Sequence, residues 1–127
     1  MKILFVENHA LFAATVVDQF LCLHELTIVP TVTAALAAVE HGPFDVLLVD
    51  YDLDDGKGDQ VVRHVRARGI DVPIVAVSAR PEGNQAMIDA GADTLCHKRD
   101  FARIERVLAS AQMARQQKIE ALLGRET

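Results

Sequence analysis

Short apolar runs alternate along the chain with segments whose apolar residues recur every three or four positions. Ile3-Leu4-Phe5-Val6 is continuous and strand-sized. Phe12, Val16, Phe20 and Leu23 then recur at helical spacing. Leu26, Ile28 and Val29 predict a weaker second strand. Thr31 or Thr33 then caps a helix carrying Leu36 and Val39, and His41-Gly42-Pro43 stops it. Phe44-Asp45-Val46-Leu47-Leu48-Val49 predicts a third strand. A helix over residues 58–68 follows, with Val61, Val62 and Val65 on one face and Gly69 as its stop. Val72-Pro73-Ile74-Val75-Ala76-Val77 predicts a fourth strand, residues 84–90 a short helix ending at Gly91, and residues 93–97 a fifth strand. The last helix is expected over residues 101–123, with Ile104, Val107, Leu108 and Ala111 inward.

Five strand–helix pairs in succession predict an α/β fold with one parallel sheet. The first, third and fourth strands are apolar on both faces, as strands covered by helices on both sides must be. The second and fifth carry Glu25, Thr27, Thr94 and His97, so they read as edges. Three central and two edge strands fit the order 2-1-3-4-5, a flavodoxin-like (βα)5 doubly wound sheet. No repeat or linker interrupts the pattern, so residues 1–127 are expected to form a single domain.

Composition adds a frame. A chain of 127 residues buries about two-thirds of the surface its unfolded form exposes, so a disulfide framework is not needed. Thirteen Lys+Arg stand against 18 Asp+Glu, a net charge of −5, which argues against direct nucleic-acid binding. No apolar run is long enough to span a bilayer, and the first residues lack a signal peptide's layout. Cys22 and Cys96 form no CxxC and read as reduced core thiols, which predicts a cytoplasmic location. The five histidines fall on different elements without zinc-type spacing and read as surface or helix-end residues.

Candidate chemistry collects at the strand ends. In open parallel sheets, sites form beyond the carboxyl ends of the strands, near the switch in strand order. There the first strand ends in Glu7-Asn8, the third in Asp50 (followed by Asp52, Asp54 and Asp55), the fourth in Ser78 and the fifth in Lys98. Carboxylates with an amide and backbone oxygens suit a hard cation such as Mg²⁺. A hydroxyl and an ammonium suit phosphoryl oxygens, and an Asp can itself be a nucleophile. Asp54 and Asp55 read as solvated loop charge, as do the charged residues of the last helix, including Arg103, Glu105, Arg106, Arg115 and Lys118.

These residues resemble a known family, the receiver domain of two-component response regulators, whose single-domain chemotaxis member is the simplest form. The resemblance runs from Lys2 to about residue 115. Its carriers are Glu7-Asn8, Val46-Leu47-Leu48-Val49-Asp50 with Gly58 eight residues on, Ser78-Ala79, and Gly91-Ala92-Asp93 leading to Lys98. The resemblance implies that Asp50 accepts phosphate from a histidine kinase, a phosphotransfer protein or a small acyl phosphate. It implies Mg²⁺ held by Glu7, Asn8, Asp50 and the backbone carbonyl of Asp52, with Ser78 and Lys98 on the phosphoryl group. It also implies a signalling domain rather than a turnover enzyme, one that docks a downstream effector protein.

The chain departs from the family pattern at five points, one of them a stretch between Ser78 and Gly91 that is about two residues short. Asn8 stands where a second acid is usual, Asp54 where Pro is usual, Arg99 where a cis-Pro follows the lysine, and Leu95 where the switch aromatic sits. Asn8 in particular predicts a weakly held Mg²⁺. Asp52 and Arg80, two residues past Asp50 and Ser78, are expected to flank the pocket mouth. Ile119, Leu122 and Leu123 lie beyond the stretch that covers the sheet, which points to a homodimer through the last helix or a frayed tail. Two other functions fit part of the pattern. One is a pseudo-receiver, an interaction module working without phosphate. The other is a small phosphohydrolase using Asp50-Tyr51-Asp52 as a DxD motif, although that motif normally ends a first strand.

Overall fold

The computed structural model of the chain describes residues 1–124. Its elements run β1 (Lys2–Val6), α1 (Ala10–Phe20), β2 (Glu25–Val29), α2 (Val32–His41), β3 (Val46–Val49), β4 (Asp52–Leu53), β5 (Gly56–Lys57), α3 (Gly58–Ala67), β6 (Ile74–Ala76), α4 (Pro81–Ala90), β7 (Thr94–Leu95), a 3-10 helix (Lys98–Arg103) and α5 (Ile104–Gly124). The main sheet is parallel, in the order β2-β1-β3-β6-β7. This is the flavodoxin-like arrangement expected from the pattern, with β2 and β7 at the edges.

The alternation of side chains along a strand sorts the core into two layers. Ile3, Phe5, Val46, Leu48 and Val75 face α1 and α5, where they meet Val16, Ile104 and Leu108. Leu4, Val6, Leu47, Val49, Ile74 and Ala76 face α2, α3 and α4, where Val39, Val61, Val65 and Met87 lie. Phe101 anchors the first layer. Its ring stacks on Phe5 at 5.9 Å and takes Phe12 edge-on at 5.8 Å.

Local chemistry explains three of the helix ends. Thr31 caps α2, its hydroxyl accepting from Ala34 N–H at 3.0 Å. Pro81 occupies the first turn of α4, where its fixed φ is already helical. That start lies three residues before the expected residue 84. Gly91 closes α4 at φ 123°, a backbone conformation that favours glycine.

The structure differs from the sequence reading in four further places. β7 spans Thr94–Leu95 alone, and the chain then turns into the 3-10 helix, so the last helix starts at Ile104 and runs unbroken to Gly124. Residues 52–57 form a small antiparallel hairpin rather than an open loop. Cys22 is exposed, in the turn after α1, while Cys96 is buried as expected. Arg115 and Lys118 are not simply solvated. With Arg66 they converge on Asp93, whose side chain is fully buried; the distances are 3.6, 3.0 and 2.9 Å. Asp93 also accepts from Ile74 N–H. The cluster ties α3 and α5 to the start of β6.

Candidate functional site

The ladder continues one residue past the central strands. Glu7 N–H donates to Val29 O, Asp50 N–H to Val6 O, and Val77 N–H to Val49 O, at 2.8–2.9 Å. Glu7 and Asp50 thus leave adjacent strand ends, and Ser78 follows on the next. All three are nearly inaccessible to solvent (1, 3 and 2 % exposed). Lys98 reaches them from the first turn of the 3-10 helix. Its Nζ lies 2.7 Å from Glu7 Oε1 and 3.2 Å from Asp50 Oδ2, and 4.8 Å from the centre of the Phe12 ring. One ammonium therefore bridges two buried carboxylates, which limits the repulsion between them.

The remaining contacts orient each group. Asp50 Oδ1 accepts from Tyr51 N–H at 2.8 Å. Burial, then the charge of Glu7, push the Asp50 carboxyl up to about 6, against the opposing pull of Lys98. Glu7 Oε2 accepts from His9 N–H at 3.1 Å and lies 3.2 Å from His9 Nδ1. Ser78 is clamped by Asn84. Its N–H donates to Asn84 Oδ1 at 3.0 Å, and Asn84 Nδ2 donates to Ser78 O at 3.1 Å. The Ser78 hydroxyl oxygen accepts from Arg80 N–H.

The expected residues do not all meet. Glu7, Asp50 and Lys98 share one cluster. Asn8 turns its amide outward, Nδ2 donating to Asp54 Oδ1 at 3.0 Å. The Asp52 carboxylate faces the mouth, held by Lys57 at 2.6 Å and Arg80 at 2.9 Å. Those contacts, Lys57 foremost, hold its carboxyl below the usual range. Asp52 and Arg80 flank the mouth as expected and pair there with each other, and Lys57 and Arg80 both flank the Tyr51 ring. Asp54 and Asp55 are not idle loop charge. Asp54 pairs with Asn8, and Asp55 accepts from Val32 N–H, Thr33 N–H and the Thr33 hydroxyl at 2.7–3.1 Å. Backbone donors at the start of α2 lower the Asp55 carboxyl accordingly.

The sequence reading missed Asn84 and His9, and it marked Gly58 by spacing alone. Asn84 is a polar side chain, 2 % exposed, one turn before Met87 on the buried face of α4; that position was its only signal. Gly58 is required by contact. A Cβ there would lie 2.0 Å from Asp50 O. His9 stands beside Glu7 rather than apart from the site, and its place two residues after the acid was the available cue.

The donor set fits a hard divalent cation. Glu7 and Asp50 supply carboxylate oxygens, and Asn8 Oδ1 is buried with no hydrogen-bond partner among the described residues, an acceptor that a cation would satisfy.

A doubly wound α/β protein with an acidic, lysine-bridged pocket at its topological switch point is the class these features define. The family model of the response regulator receiver domain matches residues 3–109, and the chain belongs to that family of two-component signalling domains. No curated protein sequence matches it. Among solved structures, it is similar to the receiver domain of the sensor histidine kinase PA1611 from Pseudomonas aeruginosa PAO1, which has a magnesium ion coordinated in its active-site cleft. Identity there is 26%, coverage 84% of this chain and 92% of that one, and TM-score 0.75. The response regulator TrrA from Thermotoga maritima, in complex with Mg²⁺ and BeF, shares the fold at 18% identity, 87% and 99% coverage and TM-score 0.78. NtrX from Brucella abortus shares it at 21% identity over 94% of this chain and 28% of that one, with TM-score 0.80. Among the described residues no helix is long and apolar enough to cross a membrane.

Proposed function

We propose that this receiver accepts a phosphoryl group on Asp50 and passes the signal on by docking another protein. One observation carries the reading: Asp50 is buried at the end of β3 with Lys98 Nζ 3.2 Å from its Oδ2. A phosphorylated histidine of a kinase or phosphotransfer protein, or a small acyl phosphate, is the donor. An Asp50 carboxylate oxygen attacks phosphorus as the bond to the donor's nitrogen or oxygen breaks, which leaves an acyl phosphate on Asp50. With its carboxyl near 6, Asp50 is mostly the nucleophilic anion at pH 7. Lys98 is placed to neutralise phosphoryl charge once it leaves Glu7. The Ser78 hydroxyl is the donor on the neighbouring strand end, and Asn84 holds the backbone that carries it. Mg²⁺, when bound by Glu7, Asn8, Asp50 and the Asp52 carbonyl, supplies further charge neutralisation.

On this reading the domain turns over no substrate; it phosphorylates and dephosphorylates itself, in the cytoplasm, and acts as one unit. A phosphate-independent interaction module is the second reading. Leu95 favours it, lying 45 % exposed where the family carries its switch aromatic. Beryllium fluoride with Mg²⁺ mimics the phosphoryl group and separates the two. Phosphoacceptor function predicts shifts of the Asp50 and Ser78 amide resonances, and an unchanged spectrum supports the second reading. The exposed Leu122 and Leu123, 57 and 60 % accessible on a helix that runs past the sheet, support a homodimer through α5. Sedimentation of a chain ending at Ala114 against the full chain decides that point.

A further inference from the structure

Ser78 is held at every polar group it offers as backbone or acceptor. Its N–H donates to Asn84 Oδ1 at 3.0 Å, its carbonyl accepts from Asn84 Nδ2 at 3.1 Å, and its hydroxyl oxygen accepts from Arg80 N–H at 3.0 Å. Ser78 and Asn84 are each 2 % exposed, so no water stands ready to replace these bonds. One orientation of the Asn84 amide serves both backbone groups at once, which sets its oxygen against the donor and its nitrogen against the acceptor. The hydroxyl hydrogen alone has no acceptor among the described residues. Ser78 is thus pinned in place while keeping one donor to give.

The clamp ties Ser78 to α4, and α4 is itself tied to the phosphoacceptor strand. The N–H groups of Gly83 and Asn84 both donate to Arg80 O at 3.1 Å, which closes the first turn of α4 behind Pro81. A Cβ on Gly83 would lie 2.7 Å from the Tyr51 ring, so the bare backbone of that turn packs against the side chain that follows Asp50. Tyr51 N–H in turn donates to Asp50 Oδ1 at 2.8 Å. Between Ala76 and Pro81 the connection is only residues 77–80, and Val77 is still bonded to β3, which leaves little slack. The ends of β3 and β6 and the first turn of α4 therefore form one block. Shifting Ser78 toward Asp50 would either break buried hydrogen bonds and leave their groups unpaired, or drag the first turn of α4 across Tyr51.

We propose that Asn84 is a positioning residue that fixes Ser78 before phosphate arrives, so that Ser78 meets the phosphoryl group by turning its hydroxyl while the end of β6 and the first turn of α4 stay in place. This inference rests on the reading of Asp50 as phosphoacceptor. A donor fixed in advance costs no reorganisation at the moment charge develops on the transferring group. It also moves the signal elsewhere. A partner that tells the two states apart then reads the added charge at the mouth, beside Asp52, Lys57 and Arg80, and not a displaced α4.

A double-mutant cycle on the full chain separates positioning from mere support of the fold. The readout is the initial rate at which acetyl phosphate with Mg²⁺ labels the chain. Asn84→Ala should slow labelling about tenfold when Ser78 is present, the scale of a reacting group displaced by a fraction of an ångström. In the Ser78→Ala chain, where no hydroxyl is left to position, the same change should cost less than about twofold. A purely structural Asn84 slows both chains equally, and that result overturns the proposal. A second measurement needs no variant. Hydrogen exchange at Ser78 N–H, which reports the bond to Asn84 directly, should stay within about twofold when Mg²⁺ and beryllium fluoride are added to the native chain, as should exchange across residues 81–90. Loss of protection at Ser78 or in α4 overturns the proposal even if the Asn84 variant does not fold. An unlabelled native chain overturns the phosphoacceptor reading and any role of Asn84 in transfer with it. A labelled native chain with equal losses in both backgrounds overturns the positioning role alone.

Discussion

Gly58→Ala perturbs the pocket while leaving every charged group in place. Gly58 opens α3 and donates its N–H to Tyr51 O at 2.7 Å. An added Cβ would stand 2.0 Å from Asp50 O, 2.9 Å from Asp50 C and 2.9 Å from Met87 Sδ, where real Cβ atoms do not come within 3.0 Å. The obstruction is backbone at the end of a central strand, so no side chain can swing aside to relieve it. Either the Asp50 peptide or the first turn of α3 must move by about 1 Å. Overpacking of a well-filled interior costs about 1–3 kcal/mol, and an immovable neighbour places this case at the upper end, near about 3 kcal/mol. In a domain of this size that lowers Tm by roughly 10 °C. A nucleophile misplaced by about 1 Å loses about 100-fold in rate, so labelling of Asp50 by acetyl phosphate should fall far more than stability alone explains. Gly69→Ala is the control. Gly69 has φ 71° with nothing within 4 Å of an added Cβ, so strain of about 1–2 kcal/mol is expected with an unchanged labelling rate. Urea unfolding and the labelling time course read both effects. A Gly58→Ala chain with native stability and native labelling would refute the packing argument.

Three further outcomes follow from the charges around Asp50. Burial and Glu7 raise its carboxyl from 3.8 to about 6, so in that window the folded chain holds a proton the unfolded chain has lost, and stability falls as pH rises through it. Asp50→Asn should therefore stabilise the fold at pH 7 by up to about 3 kcal/mol, at about 1.4 kcal/mol per pKa unit, with the gain shrinking toward pH 4; urea melts at both pH values test the sign. Arg80→Ala, which opens the contact with Asp52 at the mouth, should shorten the half-life of phosphorylated Asp50 several-fold, and an unchanged half-life would mean that the pair does not shield the site from water. Asn8→Asp should tighten Mg²⁺ binding in an NMR titration without phosphodonor, since it supplies a direct anionic ligand; equal affinity in both chains would show that position 8 does not limit the site.

The fold was legible because its central strands are unambiguous. Ile3-Leu4-Phe5-Val6 and Val46-Leu47-Leu48-Val49 are buried throughout, and each ends at a carboxylate whose place beyond the sheet follows from chain direction alone. Glu7, Asp50 and Lys98 were brought together as their strand ends required. Elements set by contacts distant in sequence were not legible. The fifth strand is short because β6, its one ladder partner among the described residues, pairs with it at just two positions, Val75↔Thr94 and Ala76↔Leu95. Asp55 looked like surface charge because the amides it serves belong to α2, more than twenty residues earlier. Arg115 and Lys118 gave no sign in helical periodicity that Asp93 would be buried beneath them. Asn84 escaped for a similar reason: its partner is a strand-end backbone that only the fold brings near.

The claim on which the rest depends is that Asp50 carries the phosphoryl group. Intact-mass measurement of the native and Asp50→Asn chains after incubation with acetyl phosphate and Mg²⁺ tests it directly. The geometry of the pocket predicts one added phosphoryl mass on the native chain, lost on treatment with hydroxylamine as an acyl phosphate should be, and none on Asp50→Asn. An unlabelled native chain, or equal labelling of the Asn variant, would contradict it.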